Sequence, residues 1–282
     1  MSEFDGDKDY EHFTAHRVTP YMGAELDGID LTRPLTSGQA EELQDALARF
    51  QVIFFRDQEI SHDAHKALGL LFGPLAIHSA VAGIEGHPEI VAIHADANSK
   101  YVAGESWHSD LSADEAPPLG SILYLHTVPP TGGDTMFSCM YKAYDALSDR
   151  MKAYLAGLEA VHDANPVYHA LFKDYDKRYP VATHPVIRKH PVTGKKCLFV
   201  NSSYTTRIEG LSDEESRLGL LPPGPVRLSG HHFRGEACRS LTSAMPVLRT
   251  GQAEASKTGH RATISPCSYT AISPNCRNTA SL

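Results

Sequence analysis

Two side chains in Trp107-His108-Ser109-Asp110 have the types and spacing to hold a metal ion. On an extended backbone, side chains alternate between faces, so a His and an Asp two residues apart point the same way. An imidazole and a carboxylate on one face can grip an ion and leave its other positions open. With one more His from elsewhere they would make the 2-His-1-carboxylate set that supports non-haem Fe(II) oxygen chemistry. The pattern is weak alone, because the chain holds 16 His and His94-Ala95-Asp96 also matches it. Context favours the second pair. Trp107 supplies a bulky neighbour, and Pro117-Pro118 with the apolar strand after it fixes the local backbone. Gly132-Gly133-Asp134-Thr135 makes a tight turn that can set a hydroxyl beside the ion.

The elements that must position these residues are legible in part. Residues 18–31 alternate loosely around Gly23 and Gly28, which reads as short strands with a bend. Thr36 with Gln39 forms a capping box, and Ala40, Leu43, Ala46, Leu47 and Phe50 follow at helical spacing. Val52-Ile53-Phe54-Phe55 is an apolar run of the kind found in buried strands. A second helix is expected from Ser61, ended by Gly73-Pro74. Strands are expected over 89–94, 120–126 and 135–138, and one helix over 141–158. Residues 161–179 have weak periodicity and read as a flexible loop with helical turns. A hairpin spans 184–200 around Pro191-Val192-Thr193-Gly194, and Ser212 with Glu215 caps a further helix that Pro222-Pro223 stops.

Bulk properties narrow the class. A chain of 282 residues with 41% hydrophobic and 21% charged residues suits a globular protein with a sizeable core. Its net charge of −8 argues against a nucleic-acid binder. No apolar run reaches the roughly 18 residues of a membrane span. Five scattered cysteines without a CxxC pair suit a reducing, cytoplasmic setting. Residues 1–15 read as a mobile acidic tail. Charge is uneven: 218–282 carry seven Lys/Arg against Glu236 and Glu254, a balance of +5 that leaves −13 on the rest.

Several blocks in one order carry a resemblance. They are Gly23-Ala24-Glu25-Leu26-Asp27-Gly28-Ile29-Asp30-Leu31, Val52-Ile53-Phe54-Phe55-Arg56-Asp57-Gln58, Phe72-Gly73-Pro74, Trp107-His108-Ser109-Asp110, Gly132-Gly133-Asp134-Thr135, Tyr144-Asp145-Ala146-Leu147-Ser148, Leu198-Phe199-Val200-Asn201 and Tyr204-Thr205-Thr206-Arg207-Ile208. Over residues 17–217 the chain resembles the taurine dioxygenase / 2,4-dichlorophenoxyacetate dioxygenase family of Fe(II)- and 2-oxoglutarate-dependent oxygenases. The resemblance implies a mainly β double-stranded β-helix, or jelly roll, with helical insertions. It implies that His108 and Asp110 bind Fe(II) and that Thr135 contacts 2-oxoglutarate. It further implies hydroxylation of a small substrate with O₂, releasing succinate and CO₂. His78 falls where sulfonate-using members place a substrate-binding His, and Tyr204 where they carry an aromatic pocket residue. A protonated His78 would suit an anionic, sulfonate-like substrate. Taurine-specific members carry an Asn four residues before the metal His, and Gly104 stands there, which argues against taurine itself. The expected partner is a small-molecule substrate, with neither nucleic acid nor membrane involved and homo-oligomer formation left open. His126, His162, His169, His184 and His190 read as structural or solvent-facing.

The resemblance stops after Arg217. Family members continue to a strand with Trp-x-Asn-x-x-x-x-His, whose His is the third iron ligand, and then to an Arg for the distal carboxylate of 2-oxoglutarate. No Trp follows Trp107 in this chain, and none of His231, His232 and His260 has that surrounding motif. The expected organisation is therefore a tail over 1–15, a dioxygenase domain over 16–217, and a non-family segment over 218–282. That last segment is expected to be poorly ordered, to leave the jelly roll incomplete, and to be translated out of the family's reading frame. The rival to an active dioxygenase is a catalytically inactive, truncated or frame-shifted member lacking the third ligand. A zinc hydrolase built on His108 and Asp110 is disfavoured because HExxH and other zinc signatures are absent.

Overall fold

The computed structural model describes residues 4–94, 106–127 and 135–220, together with the strand backbone of 231–233, 241–244, 248–250 and 267–272. The chain enters through β1 (Thr14–Arg17) and β2 (Ala24–Asp27), paired antiparallel from Thr14 opposite Asp27 to Arg17 opposite Ala24. Helix α1 (Ser37–Phe50) follows its capping box: the Gln39 N–H donates to Thr36 Oγ1 at 3.2 Å and the Thr36 N–H to Gln39 Oε1 at 2.9 Å. Its apolar face buries Leu43, Ala46, Leu47 and Phe50 against β3 (Val52–Phe55), itself buried throughout. Ser61 caps α2 (His62–Leu70), and β4 (Leu75–Ala76) and β5 (Ile90–Ile93) come next. Residues 4–13, read as part of a mobile tail, instead lie along α1. Phe13 is buried and stacks on Tyr10, whose hydroxyl donates to Asp45 Oδ2 at 2.7 Å. The segment's buried Phe13 and its hydrogen bonds to Asp45 and Glu42 of α1 hold it there.

The metal-motif stretch feeds β6 (Gly120–Tyr124), and β7 (Thr135–Ser138) begins at Thr135. The helix expected over 141–158 is two short ones, α3 (Met140–Asp145) and α4 (Asp149–Leu155). Ser148 divides them by accepting the Met151 N–H, which makes it an N-cap rather than a mid-helix residue. The stretch expected to be a flexible loop holds β8 (Glu159–Asp163) and α5 (Asn165–Phe172). Its strand was hidden because a buried position is filled by His162 rather than by an aliphatic residue. β9 (Val181–Pro185) pairs with β8, while β10 (Ile187–Lys189) and β11 (Lys196–Leu198) form the expected hairpin. β12 (Thr205–Ile208) lies on the other edge of β8, and α6 (Asp213–Leu220) starts at the Ser212/Glu215 capping box.

Four short strands follow: β13 (His231–Phe233), β14 (Leu241–Ala244), β15 (Leu248–Thr250) and β16 (Cys267–Ile272). The largest sheet runs β1-β2-β3-β14-β6-β16-β4 with β5 beside β16, and a second sheet runs β13-β7-β15. A third runs β12-β8-β9, and its His162 and His184 hydrogen-bond to Ser112 and Asp114 just after the metal motif. The rest of 218–282, on which the expectation of a poorly ordered, incomplete segment falls, lies outside the described residues.

Candidate active site

The loop between Ser106 and β6 carries the metal motif. The His108 ring is oriented from behind, with Nδ1 2.7 Å from the Ser106 carbonyl oxygen. A carbonyl only accepts, so the Nδ1–H donates to it and Nε2 is left to face forward. Nε2 stands 3.1 Å from Asp110 Oδ1. The other carboxylate oxygen, Oδ2, accepts the Ser121 hydroxyl of β6 at 2.7 Å. Two donor atoms converge here, and each is aimed by a second partner behind it, a geometry that could serve a metal ion. Two ligands in adjacent positions about 2.1 Å from one ion stand about 3 Å apart, so the observed pair fits such an ion. Among the described residues no third His, Cys, Asp or Glu completes the set.

Directly after Asp110, Leu111 has φ of +51°, a left-handed backbone that a branched, buried residue seldom adopts. The turn it forms is closed by Ser112 N–H to Ser109 O at 3.3 Å and Asp114 N–H to Leu111 O at 3.0 Å. His78 lies beside this loop. Ser79 Oγ donates to Asp114 Oδ1 at 3.2 Å, and the charge of Asp110 reaches the His78 ring.

The state of His78 differs from the protonated one expected. Nδ1 accepts the backbone N–H groups of Ala80 and Val81, each at 3.0 Å, which puts its hydrogen on Nε2. Burial pushes its pKa below the usual histidine value while Asp110 opposes the shift. His78 is therefore a neutral donor. Nε2 lies 3.4 Å from the hydroxyl of Tyr168 on α5, which lies 3.4 Å from that of Tyr204. Ala80, Ala113 and Tyr179 pack around the two tyrosines.

His108, Asp110, His78 and Tyr204 are thus drawn into one region, with Tyr168 joining the last two. Thr135 is half-buried at the first position of β7, and no hydrogen bond among the described residues joins it to His108 or Asp110. Residues 131–134 of its turn, and Asp96 of the alternative pair, lie outside the described residues; His94 is exposed. Of the downstream histidines, His231 and His232 sit on β13 opposite Phe137 and Met136, and His260 is outside the described residues. His162, His184 and His190 are buried, in agreement with a structural role. Tyr168 and Ser121 were not visible beforehand. Tyr168 lay in the stretch that reads as a loop, and Ser121 looked like one polar residue in an apolar strand.

Comparison with known proteins shows the family. The "Taurine catabolism dioxygenase TauD, TfdA family" profile matches residues 14–220. Alpha-ketoglutarate-dependent dioxygenase cnsM of Penicillium expansum is 35% identical over 71% of this chain and 60% of its own length. An alpha-ketoglutarate-dependent sulfate ester dioxygenase of Pseudomonas putida is 30% identical over 76% of this chain and 74% of its own. The chain spans about half to three fifths of the length of four fungal relatives, two from Penicillium expansum and one each from Schizosaccharomyces pombe and Saccharomyces cerevisiae. The crystal structure of a taurine dioxygenase from Burkholderia xenovorans superposes with a TM-score of 0.77 at 28% identity, covering 93% of this chain and 90% of that one. The mixed strand and helix content is that of this jelly-roll type, and the chain belongs to the TauD/TfdA family.

Proposed function

We propose that the protein is an Fe(II)- and 2-oxoglutarate-dependent dioxygenase that hydroxylates a small, anionic, sulfonate-like substrate. The observation that carries this reading is the convergence of His108 Nε2 and Asp110 Oδ1 at 3.1 Å, each aimed from behind, beside the His78–Tyr168–Tyr204 cluster. His108 and Asp110 would hold the iron and Thr135 would contact 2-oxoglutarate. With 2-oxoglutarate and O₂, the iron would supply the oxidant for C–H hydroxylation, with succinate and CO₂ as by-products. The chain's own residues do the rest. Ser106 and Ser121 fix the two ligands, Tyr168 and Tyr204 exclude water, and the His78 Nε2–H and two hydroxyls offer neutral donors to an anionic head group. A sulfonate or sulfate ester keeps its single charge at all working pH values and is well served by several neutral donors. The sulfate ester dioxygenase among the relatives supports this class.

The test uses purified protein with Fe(II), ascorbate, 2-oxoglutarate and a panel of alkanesulfonates, alkyl sulfates and aryloxyacetates. Succinate should form faster with the first two classes than without substrate. No succinate with any member would defeat the reading.

A second reading is that residues from about 218 are out of the family's reading frame and that this chain is inactive. It is supported by the family match ending at 220, where the charge balance also changes sign. The other frames of the gene should then encode Trp-x-Asn-x-x-x-x-His followed by an Arg. Their absence would dismiss this reading.

A further inference from the structure

One loop, Asn201 to Thr205, is hydrogen-bonded to the metal-motif stretch on both sides of its two ligands. On the inner side the bonds run through buried groups in a fixed direction. Asn201 Oδ1 accepts the N–H groups of Ser203 at 3.2 Å and Tyr204 at 2.9 Å, so Asn201 Nδ2 is the donor to Ser112 Oγ at 2.9 Å. Ser112 then has its hydrogen for His162 Nδ1 at 3.0 Å, and His162 Nε2–H donates to Phe199 O at 3.2 Å. Ser112 and His162 are fully buried. Toward the surface, the hydroxyls of Ser202 and Ser203 both donate to the Trp107 carbonyl, at 3.1 and 3.2 Å, and Ser106 and Ser203 share a 2.5 Å contact. His108, Asp110 and the left-handed Leu111 lie between these two seams.

A left-handed leucine persists only where the surroundings over-determine it, and Ser112 is its immediate neighbour. We propose that Ser112, held by Asn201 and His162, is a positioning residue that keeps the Leu111 turn left-handed and so aims Asp110 beside His108. The same loop carries Tyr204, so the placement of the aromatic pocket and that of the ligand pair are mechanically one. This rests on the reading of His108 and Asp110 as metal ligands; the clamp itself is a property of the chain alone.

The experiment compares full-length wild type with Ser112→Ala, Ser112→Thr and Ser203→Ala, by amide hydrogen exchange over 108–114 and by Mn(II) titration. Ser112→Ala strands the Asn201 amide and a His162 ring nitrogen, so exchange at 109–114 should quicken by about ten- to a hundred-fold while α1 stays protected. Mn(II) affinity should fall by about ten- to a hundred-fold, as is usual when an orienting partner is lost. Ser112→Thr keeps the hydroxyl and should restore both. Ser203→Ala, at the half-buried seam, leaves the core bonds intact, so it serves if Ser112→Ala does not fold; it should quicken exchange at 108 and weaken Mn(II) binding less. Wild-type exchange in the variants overturns the proposal, as does faster exchange with unchanged Mn(II) affinity in folded protein. A wild type that binds no Mn(II) counts against the metal site, and the exchange comparison then decides the clamp by itself.

Discussion

Lowering the pH from 7 to 5 should destabilise the protein steeply, because three histidines are buried in their neutral form. His65, His162 and His190 are each at most 4% exposed, and burial pulls each pKa down to about 4 from 6.5. Around His65 the positive ends of His62 and His126 add to the effect; around His162 those of His184 and Arg188 do. The folded-state pKa lies below the unfolded one, so on acidification the unfolded chain binds protons first. Stability is complete above about pH 6.5 and is lost as pH falls toward about 4. For each group the loss between pH 7 and 5 is about 2 kcal/mol, or about 5 to 6 kcal/mol for the three, which is a large share of a typical domain's stability. His65 is the cleanest probe, since it lies on α2 and packs against the Tyr124 ring, while neither His108 nor Asp110 is on that helix. Urea unfolding followed by circular dichroism at pH 7, 6 and 5 gives the slope directly. His65→Leu should flatten it by about 2 kcal/mol and be more stable than wild type at pH 5. A wild-type slope near zero, or parallel slopes for the two proteins, would refute the reasoning.

Single contacts set the other expected outcomes. Ser121→Ala removes the hydroxyl behind Asp110 Oδ2 and should weaken Mn(II) binding about ten- to a hundred-fold in a titration, with little change in the unfolding midpoint. Tyr168→Phe removes the hydroxyl between His78 and Tyr204, so KM for an alkanesulfonate should rise about tenfold while uncoupled 2-oxoglutarate turnover is kept. Thr36→Ala opens the α1 capping box and should lower unfolding stability by about 1 kcal/mol, read from urea denaturation.

Local signals were legible wherever one physical rule dominated. Capping boxes at Thr36 and Ser212, the apolar run of β3 and the hairpin around Gly194 all came through because each depends on neighbours in sequence. β8 was missed because its buried positions include His162, whose cost of burial is met by Ser112 and Phe199, partners distant in the chain. The same holds for the site. His108 and Asp110 stand two apart on one loop and announce themselves, whereas Tyr168 acquires its meaning only where α5 brings it against His78 and Tyr204. The neutral state of His78 is hidden for a related reason: the N–H groups of Ala80 and Val81 claim its Nδ1, which side-chain chemistry alone does not reveal.

The central claim is that His108 and Asp110 hold an iron that binds 2-oxoglutarate. Its most direct test is the visible absorption of the purified chain on anaerobic addition of Fe(II) and 2-oxoglutarate. A metal-to-ligand charge-transfer band that is absent in His108→Ala is the predicted result. No band in the wild type, or an equal band in His108→Ala, would contradict the account.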